Sequence, residues 1–149
     1  MTEPVTFSDS TPRFAIPMLY VAQAQKEISL NEAHSRIDAL LHPVVEGMLS
    51  AEPSAPENGQ SWIVGPDGSD AFSGRSDCLA SFQEGQWQFF EPRAGMTVFD
   101  LSTGLSTMFF NGWMQPVTVS EPAGGPVVDQ QARDAIAGIL AALKIAGLQ

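Results

Sequence analysis

His34 and His42 are the two histidines of a 149-residue chain, and they stand eight positions apart. On a helix that spacing separates them by roughly 12 Å along the axis, too far to share one zinc ion. The single cysteine, Cys78, has Arg75 as its one basic neighbour, and alone it can form neither an intramolecular disulfide nor a thiolate metal cluster. It is expected to be a small buried hydrophobe. No Gly-x-Ser-x-Gly elbow supports a serine nucleophile, and no Gly-Lys-Ser/Thr or dinucleotide fingerprint marks a nucleotide site. Asp67-Gly68-Ser69-Asp70 opens like a calcium loop but runs into Ala71-Phe72 where further oxygen ligands are needed, so a turn is expected there. Carboxylate pairs for glycoside hydrolysis are not singled out, because 17 acidic residues generate pairs by chance. The expectation is a protein that is not an enzyme, with no catalytic residue, no metal and no cofactor.

What remains is aromatic. Trp62, Trp87 and Trp113 lie beside turns, in company with Phe89, Phe90, Phe99, Phe109 and Phe110. An indole at a strand end can stack on a sugar face and offer an N–H donor, so the three tryptophans are candidate glycan contacts. Their alternative role is hydrophobic core. A free-standing carbohydrate-binding module using these rings is accordingly one functional reading.

Seven basic residues against 17 acidic ones give a net charge of −10, and the basic residues are scattered along the sequence. A nucleic-acid backbone needs a Lys/Arg footprint, so nucleic acid is not an expected partner. With 44% hydrophobic and 16% charged residues the chain is of folded composition, and 11 Pro and 13 Gly predict many short elements in one domain. The start of the chain has no basic segment followed by an apolar run, so no signal peptide is expected. The low-polarity runs 14–22 and 136–148 are interrupted by Pro17 and Lys144, and neither suits a membrane span of ~20 residues. Synthesis and folding in the cytoplasm are expected.

These residues must be positioned by an α+β fold. Residues 1–16 lack any period and suggest an extended N-terminal arm that orders only when docked. Leu30, Ala33, Ile37, Leu40 and Leu41 draw one apolar stripe, which predicts a helix over 18–41, stopped by Pro43. The remainder of 17–119 shows short strands and tight turns, predicting a small antiparallel sheet of hairpins. Two-residue loops are expected at Glu84-Gly85 and Asn111-Gly112, the latter suited to a type I′ turn. In 105–110 both strand faces carry large apolar groups, so one face is expected to pack on a helix and the other to meet another chain. A Pro/Gly linker occupies 120–128. Over 129–149, Asp129 is the expected N-cap and Gly147 the C′ residue of a helix with Ala132, Ile136, Ile139, Leu140 and Leu143 on one side. The small residues on its other faces either admit a second helix or simply raise helix propensity.

The run Gln23-Ala24-Gln25-Lys26-Glu27 with Asn31-Glu32-Ala33 and Ile37-Asp38-Ala39-Leu40 resembles a family found in alphaproteobacterial phages and gene transfer agents. The likeness continues through Gly59-Gln60-Ser61-Trp62-Ile63-Val64-Gly65, Gly85-Gln86-Trp87 and Pro92-Arg93-Ala94-Gly95 to the last helix. It implies a virion structural protein related to tail-fibre and head-spike components, which support attachment to host surface polysaccharide. Implied partners are further copies in a homo-oligomer, trimer or pentamer, capsid or tail proteins and a spike or fibre protein. The chain ends directly after its last helix, which favours a base or adaptor position. Phe7 and Phe14 in the arm, and Ile136, Ile139, Leu140 and Leu143 in the last helix, are the residues expected to carry docking and assembly.

Overall fold

The computed structural model describes residues 10–19, 26–125 and 129–148, with 26–29 described as backbone alone. Helix α1 (Lys26–Leu40) is followed by strands β1 (Val44–Val45), β2 (Met48–Leu49), β3 (Ser61–Val64), β4 (Leu79–Gln83), β5 (Gln86–Phe90), β6 (Thr97–Asp100), β7 (Leu105–Phe109) and β8 (Trp113–Met114). Helix α2 (Gln130–Ile145) comes last. The α+β architecture is as expected from the sequence.

The strands form two sheets rather than one, with orders β1-β6-β7-β8 and β2-β3-β4-β5. Each contains one parallel pair, β1 with β6 and β2 with β3, which corrects the expectation of a purely antiparallel sheet. The physical reason lies in residues 44–49. This segment crosses from one sheet to the other at Gly47, whose carbonyl accepts from the Ile63 N–H at 3.0 Å, while the Glu46 N–H donates to the Ser61 carbonyl. One short segment therefore serves as an edge strand twice and joins the sheets covalently.

Strand alternation decides the cores. Val45 and Val98 from the first sheet meet Ile63, Leu79 and Phe90 from the second, with Ala39 of α1 against them. The other face of the second sheet packs Val64 and Ala80 under Phe72, which is fully buried at the end of a 3₁₀ turn, Asp70–Phe72. Gly68 makes that lid possible: a Cβ there would collide with the Phe72 carbonyl.

The Glu84-Gly85 loop is the expected two-residue turn, with φ of 50° and 76°. At Asn111-Gly112 the expectation fails. Phe109 pairs with Trp113, so the loop holds three residues, and Asn111 and Gly112 have φ of 157° and 145°, far from the ~60° and ~90° of a type I′ turn. The edge-to-face contact of the Phe109 and Trp113 rings, 5.4 Å between centroids, accompanies this register.

The first helix also differs. Pro17 is in a bridge with Ser10, and Leu19 is non-helical because Asn31 takes both its backbone groups: the Leu19 N–H donates to Asn31 Oδ1 at 2.8 Å and Asn31 Nδ2 donates to the Leu19 carbonyl at 3.0 Å. Residues 20–25 of the expected helix lie outside the described residues. In α1 the buried positions are Ser35, Asp38 and Ala39, whereas Leu30, Ile37, Leu40 and the following Leu41 are exposed. The apolar stripe faces outward.

The inward polar face is closed by residues 10–17. Asp38, 1% exposed, accepts from the Thr11 hydroxyl at 2.6 Å, the Phe14 N–H at 2.7 Å and the Arg13 N–H at 3.1 Å. Arg13 then caps the end of α1, donating to the carbonyls of Asp38, Ala39 and His42. These bonds satisfy acceptors that a helix end leaves open.

Helix α2 begins as expected at Asp129, whose side chain accepts from the Ala132 N–H at 3.0 Å. It ends at Gly147, φ 67°, with the Leu148 N–H donating to the Leu143 carbonyl. The Gly147 carbonyl accepts from the Ser106 N–H at 2.6 Å, which seats the end of the helix on β7. None of the helix's 16 residues is buried.

Candidate functional site

Strand β5 is the edge of the second sheet, and its last two residues, Phe89 and Phe90, point to opposite faces of that edge. Phe90 goes inward to the main core, and Phe89 packs beneath Phe72 with ring centroids 5.9 Å apart. Each ring is covered by a guanidinium brought from elsewhere in the chain. Arg36 of α1 lies over Phe90 at 5.5 Å, and Arg75, from the loop that follows the 3₁₀ turn, lies over Phe89 at 5.1 Å. Both are cation–π distances. Arg93, three residues beyond the strand, completes the wall of an open cleft of about 580 Å³ with Glu91, Leu40 and Met96.

Electrostatically the cleft is unlike the rest of the chain. It gathers three of the five arginines of a protein whose net charge is −10. Arg36 is paired with Glu32 at 3.0 Å across one helical turn, both side chains being exposed. Among the described residues the guanidinium groups of Arg75 and Arg93 meet no carboxylate within ion-pair distance. The remaining two arginines serve structure: Arg13 caps α1, and Arg133 donates to the carbonyls of Pro122 and Gly124 in the linker. The sequence placed the basic residues apart, and folding brings three together. Positions 36, 75 and 93 offer no spacing signal for this; the nearest local hint is the run Phe89-Phe90-Glu91-Pro92-Arg93.

Cys78 lies in the wall of the same cleft and is buried, as expected. Burial pushes its thiol pKa up, Glu91 and Asp77 push it further, and Arg75 opposes them. The thiol therefore stays protonated near neutrality, which is the wrong state for a nucleophile. Among the described residues no three His, Cys, Asp or Glu side chains converge to hold a metal ion.

The tryptophans sit elsewhere. Trp62 is 6% exposed and meets Trp87 edge-on at 5.6 Å. Trp87 is half-buried against Phe72 and Phe82, and its indole N–H donates to Glu52 Oε2 at 2.9 Å. Trp113 packs beside the main core, its N–H given to the Asp77 carbonyl at 2.8 Å. All three rings carry packing, and the two described N–H bonds fasten loops to the sheets.

Of the assembly residues, Phe7 lies outside the described residues. Phe14 is 42% exposed, tilted against the His42 ring with Arg13 over its face. Ile136 and Ile139 are exposed, while Leu140 and Leu143 are half-buried. On the first sheet, register places Phe99, Met108 and Met114 together on the outer face, all exposed.

The segment that supplies the cleft and both sheets, residues 30–114, matches a family described as a protein of unknown function, DUF2793. The chain belongs to that family. The DUF2793 segment contains every residue that lines the cleft and leaves out residues 10–19 and α2. Comparison with curated proteins returns no match.

Proposed function

We propose that this DUF2793 protein is a non-enzymatic structural subunit of a phage or gene transfer agent particle, a base or adaptor in a head spike or tail fibre that supports attachment to host surface polysaccharide. The observation that carries the reading is α2, a capped amphipathic helix of 16 residues with no buried residue. A lone amphipathic helix is marginal in water and gains its stability by covering its apolar side. The exposed stripe of α1 and the outer face of the first sheet add two further apolar surfaces in want of a partner. Copies related by rotational symmetry would supply one for all three. The resemblance to spike and fibre components gives the assembly its setting.

Light scattering coupled to gel filtration, across a tenfold range of concentration, tests the reading. A closed oligomer is expected, and the double variant Ile139→Asp/Leu143→Asp is expected to shift it to monomer while circular dichroism retains the β signal. A wild-type protein that stays monomeric throughout would overturn self-assembly.

A further inference from the structure

The cleft at the edge of β5 shares only Leu40 with the surfaces of the assembly reading, and it has a chemistry of its own. We infer that it binds a sugar acid, one or two hydroxylated rings bearing a single carboxylate. This goes beyond the assembly reading and does not depend on it, since binding is measured on the purified protein whatever its oligomeric state.

Arg75 and Arg93 have no carboxylate within ion-pair distance among the described residues, and Arg75 lies over the face of Phe89. A guanidinium over a ring keeps its in-plane N–H donors free, and that flat fork matches a carboxylate. Elsewhere this protein engages its arginines closely, at a helix end and on linker carbonyls. Arginines left open around a single concavity are the exception in the molecule.

Glu91 restricts the ligand. It stands in the same wall as Arg75 and Arg93, so a ligand charged along its whole length would meet repulsion there. A ligand anionic at one end and rich in hydroxyls at the other would set its carboxylate on the arginines and donate hydroxyls to Glu91. Leu40 and Met96 offer apolar surface to the C–H face of a ring. The volume, about 580 Å³, lies within the range of small-molecule sites and exceeds what a bare inorganic anion fills.

Isothermal titration calorimetry of the full chain with cellobiouronic acid, which bears one carboxylate on two rings, with cellobiose and with inorganic phosphate tests the inference. Saturable binding of cellobiouronic acid is expected, with no heat from cellobiose and no competition from equimolar phosphate. Arg75→Gln and Arg93→Gln, both at exposed positions, should each weaken binding roughly tenfold or more, the effect of removing one charge-assisted hydrogen bond. Melting curves establish that each variant is folded, and should one melt early the other carries the test. Absence of saturable binding, equal binding of cellobiose, full competition by phosphate, or unchanged affinity in both folded variants would each overturn the inference.

Discussion

Cys78 shows how far surroundings can determine what a reactive side chain does. Its folded pKa is raised by burial first and by Glu91 second, above that of the unfolded chain. As pH rises the unfolded state therefore loses its thiol proton first, at about 8.5, and the folded state later. Stability from this group is intact below about pH 8 and falls through the alkaline range. Chemical denaturation at pH 7 and pH 9.5 should show a larger loss in the wild type than in Cys78→Ala, and equal losses would refute the linkage. Iodoacetamide should label the native protein slowly at neutral pH. The sequence already pointed to an inert cysteine, from its isolation. It did not show Glu91 and Asp77 as neighbours in charge, nor that Arg75 would be drawn over Phe89, because those relations depend on where β5 lies against the loop at 73–78.

The arm and α1 hold each other through Asp38. Asp38→Ala removes the acceptor of three donors, and a loss of about 2 kcal/mol or more is expected from denaturation, since a buried donor left without its partner costs ~1–3 kcal/mol. The same change should free Arg13 from the helix end, so limited trypsin digestion should cut after Arg13 faster than in the wild type. Unchanged cleavage would mean that the arm is held by other contacts. Elements whose signals are local were legible in the sequence: the Glu84-Gly85 turn, the Asp129 cap and the Gly147 terminus all depend on residues within a few positions. The stripe on α1 was legible as a stripe, but periodicity does not say which way it faces. Here Asp38 and Ser35 face in, because the arm supplies partners for Asp38 from 24 to 27 positions away. The two-sheet arrangement was hidden for a similar reason, since four strand residues split between two sheets leave no pattern of their own.

The assembled protein, on the reading proposed above, should gain stability by mass action. A ligand or partner that binds only the folded chain raises its melting temperature with concentration. Scanning calorimetry of the wild type from low to high micromolar concentration should therefore show a rising transition, and Ile139→Asp/Leu143→Asp should remove the concentration dependence. A transition independent of concentration in the wild type would show that α2 is stable without a second copy. The cleft lies on the edge of the second sheet, whereas α2 ends on the outer face of the first, at Gly147 and Ser106, so the proposed ligand site is apart from α2 and meets the α1 stripe only at Leu40.

The distribution of arginine has one more effect. With three of the five arginines in the cleft, few cations are left for the rest of a chain of net charge −10. In the proposed assembly, copies approaching through their apolar faces would repel one another, and dissolved ions screen charge over distances beyond ~10 Å at 0.1 M. The same ions compete with a carboxylate for the open guanidinium groups. On the two readings proposed above, rising ionic strength is expected to push the surfaces in opposite directions, tightening the contact between copies while loosening the grip on an acidic ligand, so that a dilute medium favours capture and a saline one cohesion.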